Sequence, residues 1–272
     1  DEIKFAKMGN IANPRPEMPS SDKDYFVGSS ANITGAFTIF EVDGYDMLID
    51  HMAGYFDFVS DNSSVALVDR NEIKIIGLGQ ATVTGTLGDT PVDGEVILRG
   101  QLPPTVIAPS PTHLPADVIS LYSSTYYDVP VDSWNTHWDW STTEDGFYTI
   151  NGHETRMYSA FNFVGIQFKA SPLNVSEMTH FHIDVYTPAG TDFIIKFNTF
   201  SEANGYAGFA ELAFDATTDP VFNAGGWSSL DIPLSNFVFA PANDAAWDRI
   251  GELVISSTDS KLVLVDNIYW HK

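Results

Sequence analysis

The sequence predicts an all-β chain made of two sandwich domains in series. Three observations carry this. Short runs alternate apolar and polar residues, among them Ala36–Phe40, Gln80–Leu87, Phe181–Tyr186 and Phe193–Asn198. Period-two alternation buries one strand face and leaves the other to water. Gly, Pro, Asn and Asp clusters break these runs at roughly 8–15-residue intervals, a spacing that suits sandwiches and jelly rolls. No stretch reads as a helix of four turns, and the best helical candidate is a short turn around Asn243–Arg249.

A proline-rich stretch divides the chain. Five of the 15 prolines fall in residues 101–116, QLPPTVIAPSPTHLPA. Proline fixes φ and lacks a donor N–H, so this stretch makes a stiff, extended connector. The expected boundary lies near residue 108, which gives domains 1–107 and 108–272, both of ordinary size. All six tryptophans lie at or beyond Trp134. Both parts are acidic, so tryptophan separates them and charge does not.

Composition excludes several classes of function. The net charge of −23 repels phosphate backbones, so no nucleic-acid partner is expected. Anionic lipid is disfavoured for the same reason. With no cysteine there are no disulfides, thiolate zinc sites, iron–sulfur clusters or cysteine nucleophiles. No apolar run reaches the ~18–20 residues needed to span a membrane. The opening DEIKFAKMGN lacks a signal peptide's basic-then-apolar pattern. The expectation is a soluble protein, or the mature part of an exported one, with no direct membrane insertion. There is no G-x-S-x-G elbow, P-loop or dinucleotide fingerprint. His180 and His182 could ligate a metal, but no further His or Cys stands at ligand spacing.

In the first domain, residues 61–88 run as a strand ending in Val65, Ala66, Val68 and Asp69, a turn, and a second strand. A corner at Gly77 and Gly79 comes next, and then an alternating strand from Ala81 and Thr82. The two glycines permit positive φ at a tight corner. This order resembles the bacterial Ig-like group 2 pattern and implies an Ig-like β-sandwich spacer over 1–107. The preceding Asp43–Phe58 segment is longer and more aromatic than that pattern. The carboxylates of Glu41–Asp46 faintly resemble the E-x-D-x-x-E strand of family 16 glycoside hydrolases, in which an acid and a nucleophile sit ~5 Å apart. Here the third acid is Asp, and Gly44 breaks the strand. The expectation is an exposed acidic turn.

The second domain carries the sharper signals. Trp134, Trp138 and Trp140 share parity, so on a strand they would point to one side. Three indoles on one face are either core or a stacking platform for sugar rings, whose C–H faces are apolar and whose edges carry hydroxyls. In MTHFHIDVYTP, Phe181, Ile183 and Val185 face the core, and His180, His182, Asp184 and Tyr186 line the other face. Lys196 and Asn198 likewise oppose Phe193, Ile195 and Phe197. A sheet with one apolar face and one hydrogen-bonding, aromatic face suits a sugar groove.

From about Asp117 to Lys272 the chain resembles the β-jelly-roll domains of Bacteroidetes cell-surface polysaccharide-utilisation proteins. Such domains are also appended to family 16 laminarinases. The likeness rests on VISLYSSTYYDVPVDSWNTHW (118–138), RMYSAFNFVGIQF (156–168), MTHFHIDVYTP (178–188), WSSLDIPLSNF (227–237) and LVDNIYWHK (264–272). It implies a non-catalytic carbohydrate-binding module for β-glucan, laminarin-type β-1,3-glucan first, with Trp134, Trp138, Trp140, His182 and Arg156 at the ligand. It further implies a structural calcium beside the first and last strands, held by Asp266 and backbone carbonyls. The family's usual opening SDAY is here Ser123-Ser124-Thr125-Tyr126, so Asp128 or Asp132 would have to replace the missing acid. Trp227 matches a packing tryptophan. The implied setting is the cell surface, as an outer-membrane lipoprotein anchored upstream of residue 1, with other components of a glycan-uptake complex as partners. Two other classes stay open: the accessory part of a secreted glycoside hydrolase such as a laminarinase, and a structural adhesion segment that contacts protein.

Overall fold

The computed structural model describes residues 10–201, 203, 205–240 and 246–272. The chain is all-β and divides into two compact units, Asp1–Leu102 and Pro103–Lys272. The division falls between Leu102 and Pro103, near the start of the proline-rich stretch and a few residues ahead of residue 108. The reason is a set of hydrogen bonds that the second unit makes to this stretch. Asn151 Nδ2 donates to the Thr105 carbonyl, Trp227 Nε1 to that of Val106, Asn267 Nδ2 to that of Pro109, and Tyr126 OH to that of His113.

The first unit contains β1 (Ile11–Glu17), β2 (Ser21–Phe26), β3 (Ser30–Asn32), β4 (Phe37–Val42), β5 (Tyr45–Asp50), β6 (Asp57–Ser60), β7 (Ala66–Asp69), β8 (Glu72–Ile75), β9 (Gly79–Leu87), β10 (Thr90–Pro91) and β11 (Val96–Gln101). They form three sheets: β1-β4-β5, β10-β9-β11-β2 with β6 also on β9, and β3-β8-β7. The core gathers Ile33, Phe56, Phe58, Val65, Ile73, Ala81, Val83 and Leu98. Strand β9 alternates as expected, with Ala81, Val83 and Gly85 buried and the threonines between them less so. The two corner glycines serve different ends. Gly79 has φ +108°. Gly77 does not lie in the left-handed region; a Cβ there would sit 2.2 Å from the Ser64 carbonyl oxygen. The acidic run Glu41–Asp46 is a hairpin tip. Asp43 and Gly44 take φ of 52° and 82°, the left-handed pair that a two-residue turn requires.

The second unit contains β12 (Val118–Tyr122), β13 (Glu144–Ile150), β14 (His153–Ser159), β15 (Phe163–Gln167), β16 (His180–Tyr186), β17 (Phe193–Phe200), β18 (Tyr206–Phe214), β19 (Trp227–Pro233), β20 (Ile250–Ser256) and β21 (Leu262–His271). Two sheets pack as a sandwich. One is ordered β13-β14-β21-β16-β19, with β12 also on β21, and the other β15-β20-β17-β18. Phe181, Ile183 and Val185 enter the core between them with Phe193, Ile195, Phe197, Leu253 and Trp270. Phe181 meets Phe197 edge-on at 4.9 Å and Trp270 at 5.1 Å. Every residue of β21 is buried. The short turn expected around Asn243–Arg249 lies partly among the described residues. Residues 243–245 lie outside the described residues, and Trp247 and Asp248 form a turn.

Gly77→Ala is expected to destabilise the first unit by about 1–3 kcal/mol, because the methyl group meets backbone and not a flexible side chain. The urea midpoint of that unit is the measurement. An unchanged midpoint would mean the Ser64 turn yields without cost.

Candidate functional site

The outer face of the four-stranded sheet is built by alternation. On β15, β17 and β20 the residues Ile166, Phe197 and Leu253 point into the core. Their neighbours Gln167, Asn198 and Glu252 therefore point outward. Register aligns them, since Gln167 stands opposite Glu252, Glu252 opposite Asn198, and Asn198 opposite Phe209. This makes one row across four strands, about 14 Å at ordinary strand spacing. The next row reads Gly165, Val254, Lys196 and Glu211, by the same pairings.

Hydrogen bonds fix the central row. Glu252 Oε1 accepts from Gln167 Nε2 at 2.7 Å, and Oε2 from Asn198 Nδ2 at 2.8 Å. Glu252 is 6% exposed and Asn198 8%. The Asn198 Oδ1 is buried and has no hydrogen-bond partner. Aromatic rings flank the row on the β18 side. The Lys196 ammonium lies 4.1 Å from the Phe209 ring centre and 4.0 Å from Glu211 Oε2. Tyr206 is 59% exposed and meets Phe200 edge-on at 6.3 Å. Burial first, then the charge of Glu252, pushes the Tyr206 phenol above its ordinary pKa.

The other flank is Trp138. Its indole lies over Gly165, where a Cβ would come within 2.7 Å of the ring. The missing side chain at 165 thus makes room for the tryptophan at 138. The Trp138 loop runs beside β15. Ser133 and Gln167 exchange backbone hydrogen bonds, Thr136 N donates to the Gly165 carbonyl, and Ser141 Oγ to that of Phe163. Asn135 closes the loop, with Nδ2 donating to the Thr143 carbonyl and Oδ1 accepting from His137 N.

The three clustered tryptophans do not share a strand face. They lie on this loop, where His137 and Trp140 have φ of 48° and 74° and break the parity that a strand would keep. Trp134 packs on the core, 3.7 Å from the Arg156 guanidinium and edge-on to Tyr122. Trp140 is 90% exposed, and Asn162 Nδ2 donates to its carbonyl. Arg156 stacks on Trp134 and lies 4.6 Å from the Phe147 ring centre. It belongs to β14 in the six-stranded sheet and not to the Glu252 row.

His182 is also on the six-stranded sheet, and its surroundings differ from the expected open groove. Its ring stacks on Tyr269 at 4.7 Å, and residues 109–113 run beside both. Pro109, Pro111, Thr112, His113, His182, Asp231 and Tyr269 line a small cavity of about 160 Å³. His113 stacks on His271 at 3.7 Å. His182 lies 3.5 Å from both Asp184 and Asp231, and His271 Nε2 lies 2.8 Å from Asp231. Burial opposes charge on His182, but the bonds and charges of Asp184 and Asp231 outweigh it and raise its pKa to about 9. Burial pushes Asp231 upward, but hydrogen bonds with His182 and His271 and their charges hold it well below the usual carboxylate range.

Asp266 stands opposite Asp184 across β16 and β21, and both are buried. Nitrogen groups answer them. His153 Nε2 lies 2.6 Å from Asp266 Oδ2, Asn267 N donates to Asp266 Oδ1, and Asn267 Nδ2 donates to Asp184. Asp128 accepts from Ser120, and Asp132 from Ala170 N. Calcium takes six to eight oxygens, and this shell of N–H groups does not fit it. Among the described residues no three His, Asp or Glu side chains form a metal-binding group.

No family model matches the chain, and no curated protein matches it. Several solved structures are similar in part. The family 11 carbohydrate-binding module of the cellulosomal cellulase Lic26A-Cel5E of Clostridium thermocellum is 11% identical, over 53% of this chain and 95% of its own, with a TM-score of 0.39. The family 30 module of the cellulosomal cellulase Cel9D-Cel44B of Clostridium thermocellum is 16% identical, over 56% and 96%, with a TM-score of 0.43. A chain from Bacteroides thetaiotaomicron described as a candidate glycoside hydrolase is 10% identical, over 98% of each chain, with a TM-score of 0.31. All three scores are below 0.5, and the role of this face rests on the chain's own side chains.

The raised His182 pKa sets a sign. Its stabilising effect is complete below the ordinary histidine value of 6.5 and is lost as pH rises through about 9. The effect of Asp231 is complete above the ordinary value of 3.8 and is lost in stronger acid. The urea midpoint of the second unit should therefore fall between pH 6.5 and 9, and His182→Gln should flatten that fall. An equally steep fall in the variant would remove His182 as its source. Chelation is expected to leave the melting midpoint unchanged, and a clear rise on adding calcium would restore the ion to Asp266.

Proposed function

We propose that the second unit binds polysaccharide on the outer face of the four-stranded sheet and performs no chemistry on it. The observation that carries this is the Gln167–Glu252–Asn198 row set between Trp138 and the Phe209 and Tyr206 rings. Flat apolar rings suit the C–H faces of sugars, and a fixed run of amide and carboxylate groups suits their hydroxyls. Glucose polymers of the laminarin type are the first choice of ligand, with Trp138 as the main platform and Trp140 as an accessible second ring. The non-catalytic reading has support from the partners of the acids on this face: Glu252 is held by two amide donors and Glu211 Oε2 stands 4.0 Å from the Lys196 ammonium. A polysaccharide ligand puts the chain outside the cell, as a surface glycan-binding protein or as the accessory part of a secreted hydrolase.

One observation favours protein contact by the first unit. All six residues of β5 are exposed, including Tyr45, Met47, Leu48 and Ile49.

Calorimetric titration of the chain with laminarin tests the proposal, with mixed-linkage glucan and mannan as comparators. Trp138→Ala is expected to cost about 2 kcal/mol, roughly thirtyfold in Kd. His182→Gln, on the opposite sheet, should bind as the unaltered chain does. No heat with any glycan from a folded sample would overturn the proposal.

A further inference from the structure

We infer that Glu252 makes this face selective for neutral polysaccharide and closes it to polyuronates. The inference rests on the proposed binding face and names what the face admits. Glu252 is the one ionisable group of the central row, and it stands in the middle of it. Each of its oxygens already accepts one amide N–H. An ionised carboxylate is an acceptor only, so the lone pairs left over call for further donors. Sugar hydroxyls are donors; the carboxylate of a uronate is not.

No cation offsets this demand. Among the described residues, no lysine, arginine or histidine reaches ion-pair distance of Glu252. Lys196 is turned to Phe209 and Glu211. The Lys169 ammonium lies 4.4 Å from the Phe200 ring centre. A uronate carboxylate brought to the row would set like charges together where water is largely excluded, a cost that salt screens poorly.

The whole chain carries −23 and repels a polyanion at long range, so the experiment must separate the two effects. At about 0.5 M salt the Debye length is roughly 4 Å, and the long-range part is largely removed. The chain, Glu252→Gln and Glu252→Asp are titrated at low salt and at high salt with laminarin and with polygalacturonate. The unaltered chain is expected to bind laminarin and reject polygalacturonate at both salt levels. Glu252→Gln, which removes one of the acceptors that hold Gln167 and Asn198, should bind laminarin about tenfold more weakly and gain polygalacturonate binding at high salt. Glu252→Asp, which keeps the charge, should keep the rejection. Polygalacturonate binding by the unaltered chain at high salt would overturn the selectivity and leave the binding face standing. So would a Glu252→Gln variant that rejects it as firmly as the parent. An unaltered chain that binds neither polymer would overturn the binding face and the inference together.

Discussion

The second unit depends throughout on β21 being covered on both sides. The inner side packs against the core through Val263, Val265 and Trp270. On the outer side, His113 stacks on His271 and Asn267 bonds to Pro109. Burial of this kind leaves two carboxylates, Asp184 and Asp266, side by side and out of water. Such a pair is costly unless donors meet it. His153, His182, Ser229 and Asn267 are the donors present. The histidines and acids of this sheet are thus absorbed in holding the sandwich together. The four-stranded sheet buries a carboxylate on its outer face, Glu252, and the amides of Gln167 and Asn198 meet it.

The sequence made the strands legible where alternation has a single cause. Phe181–Tyr186 and Phe193–Asn198 alternate because one side of each is core, and both strands form. The same periodicity could not say what covers the other side. It put His182 and Asn198 on equivalent outer faces, yet His182 stands against Asp184, Asp231 and Tyr269 beside residues 109–113. The proline-rich stretch read as a connector because proline is stiff. Its carbonyls nevertheless accept hydrogen bonds from Asn151, Trp227 and Asn267, which local stiffness does not reveal.

Tryptophan parity failed for a related reason. Parity holds only on a strand, and the backbone at His137 and Trp140 is left-handed. An α-carbon with a bulky side chain seldom adopts that conformation, so the residue types gave no warning. Glu252 was hidden differently. It lies in Gly251–Ile255, GELVI, where its neighbours read as buried strand. Its two partners stand 85 and 54 residues away. Register among three strands that are distant in sequence brings them together, and no local pattern encodes it. The one local hint was Gly165, a glycine within a strand, which can mark a close approach. Here the approach is that of Trp138.

On the proposed reading, the held carboxylate lets the face bind without moving. A flexible amide must lose rotamer freedom when it meets a sugar, at about 0.5–1.5 kcal/mol per side chain. Gln167 and Asn198 have already lost it to Glu252. The ordering is supplied by folding, so each hydroxyl contact adds to affinity with little further entropic loss. Trp138 is fixed in the same way, by a loop hydrogen-bonded along β15. Trp140 differs, because only its backbone carbonyl is held and its ring stands in water. A ring of that kind gains area on contact but must be ordered to do so. On the proposed reading the face divides its work, with specificity on the rigid row and adaptable contact at its rim.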